Sequence, residues 1–230
     1  MNANPLSFVL VALLFSQTPS AQPRRYRIVS EAEPGRGITV QVPYSFGTHQ
    51  VAAHQVEGEI QIDPESLRVQ GGLFRVSIFQ LKSDDPQRDC HMREGLGLDY
   101  SRSRFPKNHV CDAQNRLPSQ GNDAVAFPYI ELRITSSQTL DDPRLLNQGK
   151  EIRVAASGTW MIHGVRRPAS LQLTASDDLN GAFRVRGRQA FVLGDFGVEV
   201  KSASVVIFSS SLRGEATAIF NLRLEPAPAS

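Results

Sequence analysis

Gly158-Thr159-Trp160-Met161-Ile162-His163-Gly164-Val165-Arg166-Arg167-Pro168-Ala169-Ser170-Leu171-Gln172-Leu173 reads as two strands joined by a tight reversal. Upstream of the turn, Ile152, Val154, Ala156, Trp160 and Ile162 fall on one parity; downstream, Ala169, Leu171 and Leu173 alternate with Ser170 and Gln172. A period of two is the mark of a half-buried β-hairpin. Gly164 supplies the positive φ that a reversal needs, and Pro168, which has no N–H for the ladder, is expected to open the returning strand.

The same alternation extends outward in both directions. Ala216, Ala218, Phe220, Leu222 and Leu224 share one face, while Glu215, Thr217, Asn221 and Arg223 share the other with Ile219. Phe183 and Val185 likewise oppose Arg184, Arg186 and Arg188. Strands are expected at 26–29, 38–43, 58–63, 67–81, 129–135, 151–162, 169–174, 183–193, 204–208 and 216–224. One dry and one wet face fits an antiparallel barrel wall better than a buried parallel sheet. Between Leu81 and Tyr129 the pattern stops. There Asp85-Pro86 can cap a short helix over Gln87 to Glu94, ended by Gly95. The remainder is a long connection of a length that usually serves a function.

The first residues carry no charged side chain, hold the apolar run Phe8 to Phe15 and end in the small-residue stretch Thr18-Pro19-Ser20-Ala21. Residues 1–21 are therefore expected to be a secretory signal peptide, cleaved after Ser20 or Ala21, although no Lys or Arg precedes the apolar run. A periplasmic or secreted location follows, with a single domain over 22–225 and a disordered tail over 226–230. No Cys follows the apolar run, which argues against a lipoprotein. In an exported chain the two cysteines, Cys90 and Cys111, are expected to form one disulfide, tying the long loop. Cys90-His91 and His109-x-Cys111 also hold zinc-type donors, but their spacing is unusual for a zinc site. The formal charge of +2, from 25 Lys and Arg against 23 Asp and Glu, lacks the strong basic excess of a nucleic-acid binder.

The hairpin run Gly-x-x-x-Ile-His-Gly-Val-x-Arg-Pro resembles the signature hairpin of the YceI-like family. Four further segments resemble that family in the right order: Gly58-Glu59-Ile60-Gln61-Ile62-Asp63, Arg88-Asp89-Cys90-His91-Met92, Phe127-Pro128-Tyr129-Ile130-Glu131-Leu132 and Asp195-Phe196-Gly197-Val198. The sequence departs from the family in a longer Gly95 to Ala126 segment and in Gly194, which stands where an Arg is common. The resemblance implies an all-β, antiparallel lipocalin-like barrel with a short helix. It also implies a bound polyisoprenoid, an isoprenoid quinone or polyprenyl lipid, held as carrier, store or sensor, with no other cofactor. Peripheral membrane contact and a homodimer stay open.

On this reading Trp160, Ile162, Phe183, Phe220 and Leu222 line an apolar tunnel, with Ala216 and Ala218 leaving room near one end; the alternative is a plainly packed core. Arg88, Asp89 and His91 either meet the head group or form a local network. Arg166, Arg167, Arg184, Arg186 and Arg188 read as an outward, solvated face. His49, His54 and His163 read as isolated histidines. No catalytic motif is present, and no enzyme is expected. A second reading is a non-enzymatic envelope module with a filled barrel, whose long loop docks a partner.

Overall fold

A computed structural model describes residues 22–31, 35–44, 47–53, 55–98, 126–198, 204–205, 208–209 and 214–228. The signal segment, Cys111 and most of the long loop lie outside them. The strands are β1 (Arg24–Val29), β2 (Gly37–Tyr44), β3 (Gly47–Ala53), β4 (Glu57–Ile62), β5 (Val69–Ser77), β6 (Leu81–Lys82), β7 (Tyr129–Thr139), β8 (Ile152–Ile162), β9 (Val165–Asp177), β10 (Phe183–Val192), β11 (Ser204–Val205), β12 (Phe208–Ser209) and β13 (Glu215–Pro226). The helix α1 spans Pro86–Gly95.

All pairings are antiparallel, and the order β1-β4-β5-β7-β8-β9-β10-β13 closes through β13 back onto β1. This is an eight-strand closed barrel. Part of its wall is two-tiered. One edge of β13 carries β1 along 223–226 and β2 along 217–221, so β1 and β2 act as one long interrupted strand. In the same way β3 continues into β4, and β5 into β6 through a short 3-10 turn at Ile78–Gln80, capped by Ser77 Oγ accepting from Phe79 N–H. The interruptions let the wall bend where a single strand would run straight.

The deciding hairpin forms as expected, with full register from Ile152↔Ala175 to Ile162↔Val165. Its turn uses positive φ at both His163 (51°) and Gly164 (74°), the geometry that matches strand twist in two-residue hairpins. The returning strand starts at Val165 rather than Pro168. Pro168 is tolerated inside β9 because that stretch pairs only with β8. The expected strand over 67–81 is corrected to two strands and a 3-10 turn, and β3 was not anticipated. The expected tail over 226–230 overlaps ordered structure, because β13 runs through Pro226 and Ala227 N–H donates to Arg25 O at 2.8 Å.

Candidate functional site

Inward residues of the wall strands are mostly apolar, and they do not meet at the centre. They enclose a cavity of about 740 Å³ that runs from α1 to the opposite end of the barrel. Trp160, Ile162, Phe183, Phe220, Leu222 and Ala218 all line it. Ala216 is 1 % exposed but is not among the lining residues. The indole of Trp160 stacks near Phe220 (6.1 Å between ring centroids) and Phe191 (6.3 Å), and its Nε1–H donates to Gln189 Oε1 at 3.0 Å. That bond satisfies a donor that would otherwise be stranded among hydrocarbon. Far from α1, Tyr26, Leu67 and Leu146 are buried and pack the end, with Tyr26 against Phe183 at 5.2 Å.

The α1 end is polar. Asp85 caps the helix by accepting from Gln87 and Arg88 N–H, and Pro86 takes the first helical position. This places Asp85, Gln87, Arg88, His91 and Met92 on the cavity, opposite His49 of β3. Arg88 pairs with Asp84 (3.0 Å) and Asp85 (3.5 Å), and His91 Nδ1 lies 3.1 Å from Glu94. Burial, then the Arg88 charge, lowers the His49 pKa, so its imidazole favours the neutral form.

The three expected head-group residues therefore separate. Arg88 and His91 face the cavity, whereas Asp89 is 5 % exposed and accepts from both Ser83 N–H and Ser83 Oγ at 2.7 Å. It anchors α1 to the chain leaving β6, with the buried Arg93 at 3.9 Å. Cys90, beside it, is buried and is not a free thiol. Its expected partner Cys111 lies outside the described residues, as do His54 and His109.

The arginines divide too. Arg184 and Arg186 lie outside the wall, but Arg184 is not solvated: it is 7 % exposed and bonded to Glu31 and Asp178. Arg167 stands directly opposite Trp160, so it has inward parity, yet it is exposed and does not line the cavity. Gln189 and His49 were also missed as cavity-side residues. Their only signal is parity, since each shares a face with apolar neighbours two residues away: Phe191 for Gln189, and Val51 for His49.

No family model and no curated protein matches the chain. Solved structures do. A polyisoprenoid binding domain from Saccharophagus degradans, implicated in plant cell wall breakdown, superposes with a TM-score of 0.56 at 11 % identity, covering 88 % of this chain and 98 % of that one. The fold is YceI-like. Burkholderia cenocepacia BcnA (TM-score 0.53, 10 % identity, 81 % of this chain and 95 % of that one) and Campylobacter jejuni YceI (0.50, 11 %, 77 % and 85 %) share it. At these identities the YceI-like likeness concerns the fold; the contents of the cavity have to be argued from its walls.

Proposed function

We propose that the chain is an exported lipid-binding protein that holds a polyisoprenoid tail in its barrel, as a carrier, store or sensor, and that it is not an enzyme. The observation that carries this reading is the cavity of about 740 Å³, lined by apolar side chains from opposite walls with its polar groups at the α1 end. A barrel filled by its own side chains, the requirement of the docking-module reading, would leave no such space. The polyisoprenoid binding domain that shares the fold supports the choice of tail. Desolvating the tail contributes roughly 25 cal/mol per Å² of apolar surface, while Arg88 and His91 offer hydrogen bonds to an uncharged head such as a quinone carbonyl.

The volume limits the tail. At about 30 Å³ per water-sized group, the cavity takes roughly 25 carbon atoms, or about five isoprene units. Affinity for a series of prenols should rise with length to about that size and then level off. Native mass spectrometry of the exported protein, with extraction and identification of what is released, is the direct test. One prenyl lipid per chain, lost in Trp160→Arg, is the expected result; a protein that is isolated empty and refuses added prenols and quinones overturns it. The export segment and the Cys90–Cys111 disulfide belong to the same proposal. A mature N-terminus near Ala21 or Gln22, and a two-hydrogen mass difference on reduction, are expected.

A further inference from the structure

Pairing between β9 and β10 stops at Gln172 and Arg188, although β9 begins seven residues earlier in the chain and β10 continues to Val192. Both strands keep their other partners throughout: β9 stays on β8 to Val165, and β10 stays on β13 to Val192. Among the described residues the ladder between β9 and β10 ends here, and the 3-10 turn that follows β10, Leu193–Phe196, packs against β9 in its place. The last paired steps are made close by Gly187, where a Cβ would meet the Leu173 side chain at 2.5 Å and the Gln172 carbonyl at 2.8 Å.

Ser170, Ala190 and Val192 face outward along the parted stretch and are exposed, whereas behind them Phe196 of that turn is buried, edge-on to Phe191 at 6.2 Å. Arg167 is more telling. Cross-strand partners share a face, so Arg167 points to the same side as the buried Trp160, yet it is exposed. Neither β10 nor the turn that follows it covers this side chain. Its guanidinium donates only to the Arg166 carbonyl (3.2 Å), and no carboxylate among the described residues pairs with it. Behind the seam the Trp160 side chain reaches across from β8 to β10, and its bond to Gln189 closes the gap from inside.

We propose that the seam between β9 and β10 is a side portal to the cavity, covered by the Leu193–Phe196 turn and latched by the Trp160–Gln189 hydrogen bond, with Arg167 at its rim receiving the anionic head group of a prenyl lipid whose tail passes inside. This rests on the lipid-binding reading above and narrows the ligand. A phosphate cannot follow its tail through hydrocarbon without a large desolvation cost, so it must stay at an opening. At the α1 end Arg88 is already paired with two carboxylates. Among the described residues Arg167 has no carboxylate partner, and a guanidinium binds phosphate oxygens in a bidentate manner.

The test uses the full mature chain with farnesol and farnesyl monophosphate as ligands, each displacing a bound naphthylamine fluorophore. Arg167→Gln should weaken farnesyl monophosphate about fivefold or more and leave farnesol within about twofold. Gln189→Leu and Gln189→Met, which remove the acceptor but keep the side-chain volume, should speed release of bound farnesol several-fold. A disulfide between Ser170→Cys and Ala190→Cys should slow release, and reduction should restore it, against a wild-type control treated with the same reductant. Equal losses for both ligands in Arg167→Gln, or release rates unmoved by the gate variants and by a formed staple, overturn the portal while lipid binding stands. If the wild-type protein binds neither ligand, the lipid-binding reading fails and the portal falls with it.

Discussion

At the end of the barrel away from α1, Arg184 lies against Glu31 and Asp178 on the outer side of the wall; at the α1 end, Arg88 lies against Asp84 and Asp85 beside the cavity. Residue types and pairing are alike, but their surroundings differ. Arg184 stands cross-strand from Arg223, two like charges that would repel, and Glu31 and Asp178 offset them while β1's outgoing chain covers the site. The Arg184 side chain is 8 % exposed, that of Arg88 32 %. The first cluster fastens the end of a barrel. The second leaves donors where a ligand's head can reach them. Position relative to the wall, and not residue identity, separates structure from binding.

The largest effect that would break this comparison is on stability. Arg184→Met should lower it by about 2–3 kcal/mol, below the full value for a buried pair because Glu31 and Asp178 keep partial solvent contact. Chemical denaturation would show it, with prenol affinity unchanged. A stability loss below about 1 kcal/mol would mean that this cluster is no more than surface decoration.

Acid is the next lever. The Arg184 hydrogen bond lowers the Glu31 pKa, and the Leu179 N–H, with Arg223 and Arg184, lowers that of Asp178. Groups with depressed pKa values contribute stability that is complete above their unfolded values, about 4.3 and 3.9, and that fades as pH falls through the folded ones. Asp141, held at about 2 by hydrogen bonds from Arg153, joins them. Melting temperature should therefore fall below about pH 5, and less steeply in Arg184→Met.

Arg88→Gln should do the reverse. Its exposed pairs contribute under about 1 kcal/mol to folding, but losing a charged donor at the mouth should cost about fivefold in affinity for a quinone or other uncharged head. An affinity unchanged by the substitution would move the head-group contact away from α1.

Much of this was legible in the sequence because a wall that is dry inside and wet outside writes a period of two. The hairpin at 163–164, β10 and β13 stand where alternation placed them. The failures came where the wall departs from that code. β3 escaped notice because His49, at the polar mouth, breaks the apolar series before Val51 and Ala53. The run 67–81 looked continuous, since a 3-10 turn of Ile78, Phe79 and Gln80 keeps an apolar content that composition cannot tell from strand. Asp89 and Arg88 are adjacent in the sequence, and only the helical rotation sends one into the Ser83 network and the other to the cavity. Arg167 looked like one more outward arginine. Its inward parity was readable from Trp160 across the turn, but its exposure depends on where β10 leaves β9, a tertiary fact.

The smallest predicted effect sharpens the contrast between the ends by separating them in pH. Burial, followed by the Arg88 charge, depresses the His49 pKa, so the unfolded chain takes up this proton first as pH falls. Stability attached to His49 is therefore complete above its unfolded value of about 6.5 and declines below it, levelling off once the folded imidazole protonates as well. That window lies above the one in which Glu31 and Asp178 act. A shallow loss setting in below about pH 6.5, absent in His49→Gln, followed by the steeper carboxylate limb, absent or reduced in Arg184→Met, would assign each step to its own end of the barrel. If His49→Gln keeps the shallow step, the imidazole is not what couples the mouth to pH, and the polar end is held by its helix cap and ion pairs alone.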